Sequence, residues 1–367
     1  MDFDDRTTGR AESVRARYVL GCDGANSLVR GAIGGRMQDL RFDQRWLVAD
    51  IATTADLGHW EGVQQICDPS RAATFMRVGR TRYRWEFRLH PAETATDYRD
   101  LLQLRPLLAP WLDEAAYERS ELVRVAEYTF RAQLADRWRS GRVFLLGDAA
   151  HLTPPFIGQG MGAGLRDAAN LSWKLAGVLR GELSEGVLDT YEAERKPHPR
   201  AMIRLAKFTG LTMTEGGELG NRLRNLIAPR LRVVPGLTGM VTSGESPPLR
   251  RSSLVEAPRM RRGLTGRLVP NDRLADGRRV DDVVIGRYAI ITTAELSPGD
   301  QAIVKQRGGV VLRPEPHTDL CRWIRRGHVS ALLVRPDGIV QSCRGSLPAL
   351  CASLPRFAPS IPRTRAS

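Results

Sequence analysis

Arg142-Val143-Phe144-Leu145-Leu146-Gly147-Asp148-Ala149-Ala150-His151 is the stretch on which the fold turns. Residues 143–146 are continuously apolar and stop at Gly147-Asp148, the pattern of a parallel strand buried on both faces. A Gly/Pro-rich loop follows from Pro154 to Gly162. A helix is then expected over about 163–180. Its apolar positions (Leu165, Ala168, Ala169, Leu175, Ala176, Leu179) keep the 3.6-residue period, and Gly181 is placed to stop it. Strand, glycine loop and helix in this order form the crossover unit of an open α/β sheet, where ligands gather at the carboxyl ends of strands.

Working outward, Arg17-Tyr18-Val19-Leu20-Gly21-Cys22-Asp23-Gly24 reads as a second buried strand ending in turn residues. Residues 187–209 read as a helix broken near Pro197 and Pro199. Between these halves, 36–130 reads as an inserted antiparallel sheet with helical pieces over 95–118. In it Tyr83, Trp85 and Phe87 alternate and share one strand face. Those rings are read as core first and as the lining of an aromatic pocket second. Residues 211–262 read as a connection, with a helix over 219–228. From 263 an α/β pattern returns, with strands at 289–293, 302–304, 310–312, 331–334 and 339–340. Arg335-Pro336-Asp337-Gly338 turns the last two into a hairpin. The expected division is therefore 1–35, 36–130, 131–210, 211–262 and 263–355, with the last dozen residues frayed.

The length, 367 residues, suits two or three domains, and 42% hydrophobic residues suffice for packed cores. No run of eighteen apolar residues suggests a membrane span, and the acidic start Met1-Asp2-Phe3-Asp4-Asp5 is no secretory signal. Five scattered cysteines without C-x-x-C speak against a zinc ribbon or redox pair and fit reduced thiols in a cytoplasm. The net charge of +14 invites a nucleic-acid reading. However, only four of 55 basic residues are lysine and the arginines are spread over the whole chain, without the clustered face or tail of a nucleic-acid binder. An anionic substrate or cofactor remains compatible.

Asp148, at a strand end, would repel a phosphate but accept hydrogen bonds from a polyol or ribose hydroxyl. Gly158, Gly160 and Gly162 allow a flat ligand close to the backbone. The free amides of the helix start favour a ligand edge that gains negative charge. The run 158–163 fits G-x-G-x-x-A by letters, but it does not occupy the tight strand-to-helix turn of a dinucleotide fingerprint. His151 has two readings, a proton-handling group or a ring packed beneath the loop. Arg71, Arg84 and Arg88 are candidates for a substrate carboxylate, although any one of so many arginines reads first as a surface charge. His59 and His90 have no partner pattern.

Gly147-Asp148-Ala149-Ala150-His151 with Pro154-Pro155 resembles the second flavin motif of the single-component FAD-dependent aromatic-ring hydroxylases, the p-hydroxybenzoate hydroxylase superfamily. Cys22-Asp23-Gly24-Ala25-Asn26-Ser27-Leu28-Val29-Arg30 resembles their Asp-Gly motif. The run from Pro154 through Leu175, Cys67–Arg71, Arg84–Phe87 and Tyr191–Pro197 are most similar to 3-(3-hydroxyphenyl)propionate hydroxylases. Leu333–Gly338 resembles the C-terminal thioredoxin-like domain of the larger members.

The resemblance implies an α/β chain, α+β overall, made of an incomplete FAD-binding Rossmann-like domain, an inserted substrate sheet and a thioredoxin-like domain. It implies FAD as cofactor, NADH or NADPH as co-substrate, and O2 with a small aromatic substrate as partners. No nucleic acid or membrane is expected, and a homodimer is left open. A phenolic ring would be hydroxylated beside its hydroxyl through a flavin C4a-hydroperoxide. Hydroxylases of polyketide-type aromatics and a non-catalytic remnant are the alternative readings. Asp23, Gly24, Arg30, Gly147, Asp148, Pro155, Gly158, Gly160, Met161 and Gly162 would hold the cofactor, with His151 and Pro155 nearest the chemistry. No G-x-G-x-x-G unit precedes Asp23. The expectation is therefore an N-terminally truncated chain that binds FAD poorly.

Overall fold

The structure is a computed structural model describing residues 2–5, 7–58, 62–68, 70–214, 247–257 and 263–357. Its strands fall into a hairpin and three sheets. The hairpin, β1 (Asp2–Asp5) with β2 (Arg10–Ser13), is antiparallel. The smallest sheet holds the two strands that end in turn motifs. β3 (Val19–Gly21) runs parallel to β10 (Val143–Leu145), with Val19 opposite Val143 and Gly21 opposite Leu145, and β9 (Arg139–Ser140) flanks β10 antiparallel. Phe144 and Leu145 are fully buried, as their apolar run requires.

The second sheet has the order β11-β8-β4-β7-β6-β5. Its strands are β4 (Met37–Thr53), β5 (Gln64–Ile66), β6 (Ala73–Arg77), β7 (Arg82–Arg88), β8 (Ser120–Ala135) and β11 (His151–Leu152). All its pairings are antiparallel. Tyr83, Trp85 and Phe87 alternate along β7 into one core with Phe75, Leu104 and Leu108, so these rings are core. Burying such side chains contributes about 1.5–3 kcal/mol each. β8 carries no clear sequence signal, because over 120–131 it buries only part of one face. β8, running to Ala135, crosses the expected boundary at 130, and β11, well beyond it, pairs with β8 in the same sheet. The inserted sheet and the flavin-motif half thus share a hydrophobic cluster that includes Trp46, Ala132, Trp138, Phe144 and Phe156.

Helix α1 (Leu28–Ala32) follows β3, and the short helices α2 (Leu101–Leu108) and α3 (Glu114–Glu118) precede β8. The expected helix over 163–180 is α4 (Gly160–Leu179), followed by Gly181 at φ +74°. The expected broken helix is two helices, α5 (Thr190–Arg195) and α6 (Pro197–Thr214).

The C-terminal sheet has the order β13-β12-β14-β15, from β12 (Ala289–Thr292), β13 (Val310–Leu312), β14 (Ala331–Val334) and β15 (Val340–Ser342). β12 and β13 are parallel and joined by a helix, while β14 and β15 form the anticipated hairpin. This is the thioredoxin-like arrangement. The expectation of a strand at 302–304 is overturned: Ala302, Ile303 and Val304 lie in the helix Pro298–Gln306. Three apolar residues cannot distinguish strand from helix, and Ser297 caps the helix by accepting the Asp300 amide. The expected helix at 219–228, His59 and most of the frayed end lie outside the described residues. No described helix is long and apolar enough to cross a membrane.

Candidate functional site

Parallel pairing of β3 and β10 sets the two turn motifs side by side. The Arg30 guanidinium ties them together, Nη1 donating to the Ala149 carbonyl at 2.9 Å and Nη2 to the Ala25 carbonyl at 2.8 Å. Asp23 serves its own turn. It accepts the Ser27 hydroxyl at 2.6 Å and the Val29 amide at 3.0 Å, fastening the start of α1. Partial burial works against the charge, yet these bonds hold the carboxyl below its ordinary range. Gly24 at φ +80° makes the turn, and a Cβ there would meet nothing within 4 Å.

Gly147 is also left-handed, at φ +58°. It opens a 3₁₀ turn over Gly147–Ala149 in which Asp148 is exposed and has no hydrogen-bond partner among the described residues. Helix α4 passes close by: a Cβ on Gly164 would stand 3.2 Å from the Gly147 Cα. This contact explains why the helix carries glycine one turn inside its start.

His151, expected near the chemistry, is buried. Its Nε2 shares a 2.8 Å hydrogen bond with Asp167 Oδ2, and its ring stacks on Trp138 with centroids 5.4 Å apart. Of its two readings, the geometry supports the packed ring. Asp167 is the hub that the sequence reading did not single out. Its Oδ2 also accepts the Gly147 amide at 3.1 Å, and its Oδ1 accepts Arg195 Nε at 2.8 Å. Against complete burial, the His151 bond and Arg195 keep this carboxyl below its usual range. The available signal was a row of polar residues, Asp167, Asn170 and Lys174, spaced three and four apart among the apolar positions of the helix, which must find partners once buried.

The loop into α4 is seated by Phe156. Its ring packs against Phe42, Trp46 and Phe130 at centroid distances of 5.8, 5.5 and 6.0 Å, and its carbonyl accepts Gln65 Nε2 at 2.8 Å. Pro155 stays exposed on the same turn, and Gly158 closes it at φ +61°. A Cβ at Gly158 or Gly160 would meet nothing within 4 Å, and one at Gly162 would meet only the Arg166 guanidinium. Met161 is 82% exposed. The first turn of α4 therefore presents unshielded backbone amides beside the Gly147–Asp148 turn.

Two of the arginine candidates are engaged within the protein. Arg71 forms a two-pronged pair with Glu93, at 2.7 and 2.6 Å, and Arg84 one with Asp50, at 2.7 and 3.0 Å. His90 is exposed. Among the described residues no cluster of three His, Cys, Asp or Glu could hold a metal ion.

Residues 2–206 match the FAD binding domain family. The chain belongs to this family of FAD-binding proteins. It is 37% identical to a probable NADH-specific resorcinol 4-hydroxylase of Rhodococcus jostii (strain RHA1), over 90% of this chain and 64% of that protein. It is 33% identical to a 3-(3-hydroxy-phenyl)propionate/3-hydroxycinnamic acid hydroxylase of Burkholderia cenocepacia (strain HI2424), over 90% of this chain and 66% of that one. The chain thus spans just under two thirds of the length of these curated relatives. Its fold matches that of aklavinone-11 hydroxylase, solved with FAD and aklavinone. The TM-score is 0.71 at 24% identity, over 93% of this chain and 68% of that one.

The residues present fit the flavin end of FAD. They offer an unpartnered carboxylate at a strand end, a helix start with open backbone, and glycines where a side chain would block the approach.

Proposed function

We propose that this chain carries the flavin- and substrate-facing part of an NAD(P)H-dependent aromatic hydroxylase. Bound FAD supplies hydride acceptance and oxygen transfer to a phenolic ring, at the carbon beside the hydroxyl. The chain's own residues hold and shield it. The Asp148 carboxylate accepts hydrogen bonds from the hydroxyls of the sugar-alcohol tail. The amides of Gly160, Met161 and Gly162, with the positive end of α4, stabilise negative charge gained at the pyrimidine edge of the ring. Pro155, held by the Phe156 anchor, forms a dry wall beside the reacting centre. Arg30 and Gly24 fix the neighbouring turn, while His151 acts as a positioning group through Asp167.

The observation that carries this reading is the contrast within one turn. Asp167, Gly147 and His151 are locked together, while Asp148 and the α4 amides between which a ligand would lie are left open. Titration with FAD and with riboflavin, followed by flavin fluorescence, tests it. Both should bind with similar micromolar affinity, because the residues named here face the ring and its tail rather than the adenylate. FAD binding far tighter than riboflavin binding would place the main contacts at the adenylate instead. Absence of binding by either flavin overturns the site.

The substrate class is proposed as a phenol, on the names of the relatives. Since Arg71 and Arg84 are already paired, they lend no support to a carboxylate-bearing substrate. Comparing resorcinol with 3-(3-hydroxyphenyl)propionate in FAD-supplemented NADH and NADPH oxidation assays, with product analysis, decides between them. Oxidation stimulated by neither removes the phenol claim.

A further inference from the structure

A second buried set of charges joins the C-terminal sheet to the helices beneath the Gly147 turn. Arg335, just after β14, is completely buried. Its Nε and Nη2 grip both oxygens of Asp337, at 3.0 and 2.5 Å, and its Nη1 donates to Glu194 Oε1 at 2.9 Å. Glu194 lies on α5 and accepts four donors. Arg335 and Ser252 Oγ (2.6 Å) reach Oε1, while Lys174 Nζ (2.9 Å) and Asn170 Nδ2 (2.8 Å) reach Oε2. Against burial, Arg335 and Lys174 hold this carboxyl down to about 2.

The neighbouring residue on α5 is Arg195, which pairs with Asp167. Asp167, Asn170 and Lys174 stand three and four residues apart on one face of α4. The two networks therefore fasten the same pair of helices at successive levels, one facing the C-terminal sheet and the other the Gly147 amide. The charges balance: Lys174 and Arg335 against Glu194 and Asp337, and Arg195 against Asp167. Removing Arg335 alone leaves two buried carboxylates facing one lysine. Helices α4 and α5 must then shift or admit water to relieve that charge.

We infer that Arg335 of the thioredoxin-like domain is a positioning residue for the Gly147–Asp148 turn, acting through Glu194 and Arg195 on Asp167. The consequence for flavin rests on the proposed function; the coupling itself does not.

Hydrogen exchange of the peptide spanning 143–152 tests the coupling without any cofactor. In Arg335→Met that peptide should exchange about tenfold faster, while β4 and β7 keep their protection. Arg313→Met, which breaks an exposed ion pair of the same domain, should leave it unchanged. Arg335→Met removes one buried cation. The double variant Glu194→Gln/Arg335→Met also removes a carboxylate, and should recover most of the protection as a coupled pair does. Unchanged exchange at 143–152 in Arg335→Met overturns the inference. So does loss spread equally over β4 and β7, or a double variant no better than the single. If Arg335→Met does not fold, Arg335→Lys decides: it keeps the charge, loses the fork, and should give a smaller increase confined to the same peptide. Riboflavin affinity, measured in parallel, should fall with the exchange effect. If wild-type chain binds no flavin, the proposed function fails while the exchange result still stands.

Discussion

Two aspartates end neighbouring parallel strands in this molecule, each beside a left-handed glycine, and they do opposite work. Asp23 spends both oxygens on Ser27 and Val29 at the start of α1. Asp148 spends neither on the described protein. What fixes the Asp148 turn is a third carboxylate, Asp167, which reaches it from the helix beneath. A turn whose own aspartate makes the bonds is stable but closed. A turn held from behind keeps its aspartate for a ligand. Residue type and strand-end position are the same in both; only the source of the local hydrogen bonds differs.

The largest test removes the support from behind. Asp167→Asn leaves the Arg195 guanidinium buried without its counter-charge and deprives the Gly147 amide and His151 of a full acceptor. Denaturant unfolding should register a loss of about 3–5 kcal/mol. A loss below about 1 kcal/mol, the size of one ordinary hydrogen bond, would mean that the turn is self-supporting and the comparison false.

Acid should separate the two turns next. His198 is buried close to Arg195, Arg166, Asp167 and His151. Burial first, then the two arginines, push its pKa down to about 3. The unfolded chain takes up this proton near pH 6.5 and the folded chain does not. The stability is therefore complete above about pH 6.5 and declines as the pH falls towards 3. Melting temperature against pH should show the decline, and His198→Leu should flatten it. Asp23, held below its ordinary value, makes its contribution pH-dependent only in stronger acid: its share is fully present above about 3.9 and is lost as the pH falls below that. Asp23→Asn should therefore change the profile only below about pH 4 and leave the region around pH 6 untouched.

Third, Asp148→Ala should weaken flavin binding by about ten- to a hundredfold, the worth of charge-assisted hydrogen bonds. Stability should change by less than about 0.5 kcal/mol, as for an exposed residue without partners. Equal flavin affinity in the variant would remove Asp148 from the site.

The smallest effect is the converse one. Asp23→Ala should cost about 1 kcal/mol of stability, as loss of a helix cap does, with little change in flavin affinity. If Asp23→Ala instead harms binding more than folding, the two turns are alike after all.

Much of this architecture is visible in the chain before folding. The apolar run 143–146 fixes a buried strand, the 3.6-residue period fixes α4, and alternation of Tyr83, Trp85 and Phe87 fixes β7 and the face it buries. These features are local: each depends on a few consecutive side chains and the period at which they recur. Strand 120–135 and the helix at 298–306 were not legible, because their patterns are short or mixed and the decision came from the partner strand in one case and a serine cap in the other. The roles of Asp148 and His151 show the same division. Composition and order made both of them candidates. That one remains open and the other is locked to Asp167 and Trp138 depends on residues 16 and 13 positions away in sequence that only packing brings within 2.8 and 5.4 Å. Sequence alone determined the elements with a strong local period, α4, β7 and β10, and the glycines that their ends require. Tertiary structure decided which carboxylates are consumed, because hydrogen-bond partners in a folded chain are chosen by distance in space, and the linear order of residues carries no measure of that distance.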